Sequence, residues 1–496
     1  MTEIAAADRR LHPATLVGST LKTIPQAVGG LAAYGAVVAE AGIGRVLLFA
    51  AAGALVAAGI AFLHWWRFRY GIGAAEIVIE SGIFSRQRRV IPLHRVQDVA
   101  IEQGLLARLF GTAKVRIETG GSAADEGELD SISLADAEGM RDLIRGQAMA
   151  PEEVREEEPL LFAMNVRRVL TAGLFNFSLV FLAVIFGAFQ YLEPWIGRFW
   201  DKPERWVGRA EQATGAFTVS AWAALGLLLL LAGLVSGVAR TLARDYGFRL
   251  TRTPAGLRRR RGLFTLSEAV IPIRRVQLAA VESGFIERRF GWFRLQVQTL
   301  GAESKAGGRQ TAAPFARMEE IAPIVEEVGL ALPPGDAAFV RSPRRAIVRR
   351  AFVPVVLGCI AAAVGLAFEP RALIVAGLLF AVAAASGLAW RRHAYLLVGD
   401  TLYVRGGLAT RRLWIVPVAR AQTISVRRSA LQRRLRLATV LVDTAGATVG
   451  APRVLDIDLA EVDLLAARLL VLFNVARLRG GQERPAGTGA APGESL

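Results

Sequence analysis

The sequence predicts a polytopic α-helical membrane protein, about six transmembrane helices in three hairpins, carrying three copies of a small α+β module. Three observations predict it. Six apolar runs come in pairs, each pair is followed by one motif at fixed offsets, and arginines collect at both ends of each pair. The 496-residue chain is 53% hydrophobic yet has a formal net charge of +17, with a mean hydropathy of +0.38. Soluble domains are usually less apolar. The two facts agree if the apolar residues lie in lipid and the arginines face anionic headgroups. A nucleic-acid partner is not expected, because the Arg-rich segments alternate with membrane-length ones instead of forming one basic surface. Cys359 is the single cysteine, which excludes an intramolecular disulfide and a cysteine metal cluster.

A spanning helix needs about 20 mostly apolar residues. The expected spans are 24–39, 46–63, 169–192, 217–239, 351–368 and 372–390. The first holds Pro25 and several glycines, and the last two are separated only by Glu369, Pro370 and Arg371. No cleavable leader is expected from the polar N-terminus, so the first span should act as its own insertion signal. Arg167 and Arg168 precede the second hairpin and Arg240 and Arg244 follow it; Arg344, Arg345, Arg349 and Arg350 precede the third and Arg391 and Arg392 follow it. Basic flanks mark the cytoplasmic side, so all modules and both termini should be cytoplasmic, on the inner face of a plasma membrane. The expected order is an N-terminal segment (1–23), hairpin 1 (24–66), module 1 (67–150) and an acidic linker (151–166). Hairpin 2 (167–240) follows, with an external loop at 193–216 that carries Trp195, Trp200 and Trp206, then module 2 (241–332). A linker (333–350), hairpin 3 (351–390), module 3 (391–478) and a disordered tail (479–496) complete the chain.

The repeat fixes the architecture. The chain reads GIFSRQRRVIPLHRVQ from Gly82, GLFTLSEAVIPIRRVQ from Gly262 and GLATRRLWIVPVARAQ from Gly407. Gly82/Pro92/Arg95/Gln97, Gly262/Pro272/Arg275/Gln277 and Gly407/Pro417/Arg420/Gln422 superimpose without gaps. Leu109-Phe110-Gly111 then matches Arg289-Phe290-Gly291 and Arg434-Leu435-Arg436, and Val115-x-Ile117-x-Thr119 matches Leu295-x-Val297-x-Thr299 and Val440-x-Val442-x-Thr444. Each copy reads as a first strand, a turn such as Pro254-Ala255-Gly256, and a second strand running to the repeated glycine. A third strand ends near the proline, which lacks an N–H. A short helix, an alternating strand and a closing amphipathic helix follow; the clearest closing helix is 459–478, with Asp458 as its N-cap. Several short strands closed by one helix imply a curled antiparallel sheet.

These motifs closely resemble the bacterial pleckstrin-homology-like (PH-like) domains of YdbS/YdbT-type membrane proteins, and the resemblance covers about residues 24–478. It implies a strongly bent antiparallel sheet capped by a C-terminal helix. The third copy departs most, with Ala409 in place of Phe84 and Phe264 and Arg436 in place of Gly111 and Gly291. The fold implies no single chemistry.

Two readings attach to the basic residues. Arg95, Arg275 and Arg420 could meet a ligand, a lipid headgroup or a partner, but presence in every copy favours a structural role closing the corner after the proline. Arg258, Arg259, Arg260 and Arg261 lie on one strand, two on each face; they could bind anionic headgroups or guard an exposed edge. Arg427, Arg428, Arg433 and Arg434, with Arg436, form a second cluster suited to the membrane surface or a protein partner. The four histidines are scattered, and there is no phosphate-cradling, dinucleotide or nucleophile-elbow motif. No enzyme activity, cofactor or metal is therefore expected. The best-supported role is a non-enzymatic scaffold or accessory subunit whose modules bind lipid headgroups or a protein partner. The alternative is a component of a transport or export system gated by the modules, which the scarcity of intramembrane charge disfavours. Oligomerisation stays open.

Overall fold

The computed structural model describes residues 8–16, 43–73, 75–82, 85–119, 127–148, 158–176, 219–299, 309–444 and 452–482. The chain divides into two compact units, 1–270 and 271–496.

In the first unit, β1 (Arg9–Arg10) precedes helix α1 (Ile43–Arg67), and β2 (Arg69–Ile72), β3 (Glu76–Ser81) and β4 (Gln87–Pro92) follow it. Next come β5 (Val96–Gln103), α2 (Leu105–Leu109), β6 (Thr112–Thr119), β7 (Gly127–Ser133) and α3 (Leu134–Ala148). The second repeat opens with β8 (Leu160–Ala163), α4 (Val166–Phe175), α5 (Val219–Asp245), β9 (Arg249–Thr253), β10 (Gly256–Arg261) and β11 (Leu266–Ile271). Strands β1–β4 form one sheet in that order, and a seven-stranded sheet runs β7-β6-β5-β11-β10-β9-β8. Tyr70, Ile77, Ile91, Val99, Ile117, Leu129 and Met140 are among the buried residues between the first repeat's two sheet halves and α3. Each such side chain contributes roughly 1.5–3 kcal/mol.

The second unit repeats the plan. It contains β12 (Val276–Ser283), α6 (Phe285–Arg289), β13 (Phe293–Thr299), β14 (Arg309–Ala316) and α7 (Met318–Glu327). The third repeat begins with β15 (Val340–Arg341), helices α8 (Ala346–Ala367) and α9 (Ala372–Trp390), and strands β16 (Ala394–Val398), β17 (Thr401–Gly406) and β18 (Arg411–Pro417). It ends with β19 (Ala421–Arg427), α10 (Ala430–Arg434), β20 (Leu437–Thr444), β21 (Arg453–Asp458) and α11 (Leu459–Gln482). A seven-stranded sheet runs β14-β13-β12-β18-β17-β16-β15, and β19-β20-β21 stand apart.

The modules are therefore not separate sheets. The long strand of one repeat pairs with the third strand of the next, β5 with β11 and β12 with β18. We call these two pairings seams. The short strand entering each hairpin pairs with the strand leaving it: β1 with β2, β8 with β9 and β15 with β16. The closing helix reaches Gln482, four residues beyond the expected module end, and the Asp458 carboxylate accepts from the Ala460 N–H at 3.3 Å. The third strands end at or just before Pro92, Pro272 and Pro417, as the missing N–H requires.

The repeated glycines are dictated by backbone geometry. Gly82, Gly262 and Gly407 have φ of +107°, +118° and +97°, and a Cβ there would lie 1.9–2.0 Å from a carbonyl oxygen three residues on. Only glycine fits.

Three helices among the described residues are long and apolar enough to cross a membrane: Leu227–Asp245, Ala346–Ala367 and Ala372–Trp390. This corrects the expected count of about six. Span 24–39, most of 169–192 and the loop 193–216 lie outside the described residues. Span 46–63 falls within α1, whose Leu55, Val56 and Ile60 are exposed. Along α8 and α9, Val353, Leu366, Ile374 and Leu378 are likewise uncovered by protein, as lipid-facing residues would be. Small residues let the second hairpin close. A Cβ on Gly173 would lie 2.6 Å from the Val238 Cα, and one on Gly237 2.6 Å from the Asn176 carbonyl oxygen.

Candidate functional site

The sequence-selected arginines divide between those engaged with the fold and those exposed on its surface. Arg420 donates to the Val276 carbonyl oxygen, which ties the corner after Pro417 to the preceding repeat. Arg275 is half-buried beside Gln277, whose amide donates to the Arg275 carbonyl at 3.1 Å; the Arg95 side chain lies outside the described residues. The run Arg258–Arg261 occupies β10, an interior strand flanked by β9 and β11, which corrects the edge-strand expectation. Arg258 pairs with Glu268 and Glu158. Arg261 meets Asp245 at 3.2 Å, Arg259 is buried and Arg260 is exposed. Burial, then the charges of Arg141 and Arg258, act on the Glu268 carboxyl, and the cations win, holding it below its ordinary value. Arg427, Arg428, Arg433 and Arg434 are exposed at the end of β19 and on α10, with Arg428 3.7 Å from Asp463.

A different set of arginines converges. Arg288 on α6, Arg391 and Arg392 just after α9, Arg405 on β17, and Arg411 and Arg412 on β18 line a cavity of about 580 Å³ over the β12/β18 seam. Its apolar lining comes from Val281, Phe293, Met318, Phe339 and Leu413. Among the described residues, the only ion pair of these six arginines is that of Arg412 with Glu282, at 2.8 Å. The Nη1 atoms of Arg288 and Arg392 are buried and have no hydrogen-bond partner. Such groups cost free energy unless something accepts from them. Burial, then the charges of Arg288, Arg392 and Arg405, pull the Arg411 guanidinium below its ordinary value; burial, then Arg392, does the same to Arg288. Arg405 stacks over Phe339 at 4.0 Å.

Beside this cavity the third hairpin is fixed by a polar latch. Asp456, fully buried at φ +57°, pairs with Arg349 and Arg350 at the foot of α8 and accepts from the Gln432 amide at 2.9 Å. Buried His393 accepts from the Leu455 N–H at 2.8 Å. Burial, then the Arg350 charge, pushes the imidazole down to about 4.

Sequence reasoning missed the cavity because its arginines come from four separate segments. The available signal was the third repeat's doublets, Arg391-Arg392 and Arg411-Arg412, read against the other copies. Superposed on Gly82 and Gly407, a second cavity of about 500 Å³ in the first repeat has Trp66, Arg67, Glu80, Arg86 and Gln87 at the places of Arg391, Arg392, Arg405, Arg411 and Arg412. The hollow recurs, but the arginine cluster does not. Among the described residues no group of His, Cys, Asp and Glu could hold a metal ion.

The model of the bacterial PH domain family matches residues 23–148, 204–329 and 352–470, together well over half of the chain. The chain is 23% identical over 473 residues to the UPF0699 transmembrane protein YdbT of Bacillus subtilis (strain 168), covering 87% of this chain and 92% of that protein. It is 34% identical over 86 residues to the UPF0699 transmembrane protein YdbS of the same organism, covering 17% of this chain and 52% of that protein. No solved structure matches it significantly. Three family matches in tandem, apolar membrane-length helices and YdbS/YdbT-type relatives lead to one conclusion: the chain is a membrane protein of the bacterial PH domain family.

Proposed function

We propose that this protein is a multi-pass membrane scaffold whose third repeat captures the phosphate of an anionic phospholipid headgroup. The observation that carries the reading is the cavity of six arginines with a single carboxylate partner. Arg391 and Arg392 directly follow a membrane-length helix, so the cavity mouth stands at headgroup depth. Guanidinium groups suit phosphate oxygens, and the apolar lining suits the first carbons of a lipid tail. The remaining three spans rest on their apolar runs, and the cytoplasmic placement of the modules and termini rests on the basic flanks of each hairpin. Reporter fusions after Arg69, Arg244 and Arg392 test that orientation, and an external signal at any of them refutes it.

The lipid reading is tested on the full chain purified in neutral detergent. Native mass spectrometry after titration with phosphatidylglycerol or phosphatidylcholine should show retention of the anionic lipid alone. The Arg392→Ser/Arg411→Ser variant should retain about thirtyfold less, at roughly 1 kcal/mol for each basic residue. Equal retention of both lipids, or no loss in the variant, rejects the proposal. Inorganic phosphate that displaces the lipid completely at equal concentration would instead identify a soluble anion as the ligand.

A further inference from the structure

The two seams share one register. With the repeats superposed on Gly82, Gly262 and Gly407, the pairs Leu266–Gln103 and Ile415–Ala279 belong to the same alignment. In both seams the residue at the place of Gln87 faces a glutamate from the preceding repeat: Ser267 faces Glu102, and Arg412 faces Glu282. The first repeat has β4 in the position of β11 and β18, but β4 ends its sheet among the described residues. Val90 is 45% exposed, whereas its counterparts Val270 and Ile415 are 8% and 0% exposed.

We propose that the open edge of β4 takes a strand from a separate PH-like chain, paired antiparallel in the seam register, with a carboxylate facing Gln87. The seams supply the geometry, and charge selects the occupant. A second copy of this chain would offer β19, which also ends its sheet. In the seam register β19 would bring Arg427 opposite Gln87, where each seam has a glutamate, and Arg428 opposite Arg86. Like charges facing each other across strands are unfavourable, and exposed cations are a common guard on a strand edge. A strand carrying a glutamate at the place of Glu102 meets no such repulsion, and edge addition of this kind draws its affinity from main-chain hydrogen bonds. The family includes a relative of which 86 matched residues make up 52%, a chain with room for a single repeat.

The test places the photo-crosslinking residue p-benzoylphenylalanine at Val90 in the full chain, in membranes of its own cell, with adducts mapped by mass spectrometry. The same residue at Ser267 should give an internal link to β5 and so reports that the protein is folded and the chemistry works. With that control positive, an adduct on the acidic long strand of another PH-like chain is expected. Gln87→Glu should lower its yield roughly threefold and Gln87→Arg should raise it. An adduct on a second copy of this chain, an adduct on lipid alone, or none refutes the proposal, as does a yield indifferent to the charge at position 87.

Discussion

The two seams use the same strands in the same register and carry different electrostatics. Where the β12/β18 seam has Arg288, Arg391, Arg392, Arg405, Arg411 and Arg412, the β5/β11 seam has Arg108, Tyr246, Gly247, Arg260, Leu266 and Ser267. Several cations near the first seam have acidic or carbonyl partners. Glu268 accepts from Arg141 and from Arg258, each at 2.6 Å, Asp245 holds Arg261, and Arg108 donates to the Leu263 carbonyl at 3.0 Å. A buried guanidine nitrogen without an acceptor occurs beside both seams, Arg141 Nε at the first and the Nη1 atoms of Arg288 and Arg392 at the second, but Arg141 keeps a carboxylate partner in Glu268, whereas among the described residues Arg288 and Arg392 have none. One backbone arrangement thus serves as a neutral joint in one place and as an anion cavity in the other. The fold sets where the hollow lies, and side-chain charge decides whether it needs a ligand.

This contrast predicts stability changes of opposite sign. Glu268→Ala strands Arg141 and Arg258, both mostly buried, and should cost about 4 kcal/mol. Arg411→Ser relieves repulsion at the second seam and should raise stability in lipid-free detergent by a small amount, less than about 0.5 kcal/mol for this exposed residue. Thermal unfolding of the two variants in neutral detergent checks this. A destabilised Arg411→Ser protein would show that the cluster supports the fold.

The same comparison sharpens at one buried position. The repeats place Phe68, Phe248 and His393 at equivalent sites, all buried. Only the third copy can titrate there. Its folded value of about 4 lies below the ordinary 6.5, so the unfolded chain binds the extra proton first. Stability is complete above about pH 6.5 and falls as the pH drops from 6.5 towards 4, by about 3 kcal/mol. The depressed Glu268 carboxyl acts at lower pH, because its contribution is present above its unfolded value and lost below it. Thermal midpoints measured from pH 7.5 to 4 should therefore slope in the wild type and flatten above pH 4.5 in His393→Phe. An equal slope in both would remove His393 from the account.

Much of the fold was legible because it is local. The glycine at positive φ, the proline that ends a strand and the strand alternation each act within a few residues, so three copies repeat them visibly. The seams were not legible, since β5 meets β11 only through a register set about 165 residues along the chain. The strands that brace the hairpins were missed for another reason: β1 and β15 have two residues each and β8 has four, too few to show a period. Contiguity misdirected the site reading. Arg258–Arg261 stands out as a run yet is largely neutralised, while the six cavity arginines are dispersed and come together only in space.

Local geometry also makes the smallest of these predictions. The short helix of each repeat ends on a residue at positive φ: Gly111 at +62°, Gly291 at +73° and Arg436 at +52°. In the first two copies glycine relieves the clash that a Cβ brings to this backbone, and in the third Arg436 bears it. Arg436 is exposed and lies outside the cavity lining, so nothing at the anion site requires its charge. Arg436→Gly should stabilise the third repeat by about 1 kcal/mol and leave phosphatidylglycerol retention unchanged. A loss of retention in that variant would extend the anion site to α10, along the arginines that first drew attention in the sequence. A loss of stability would mean that the Arg436 side chain makes a contact worth more than the strain it carries.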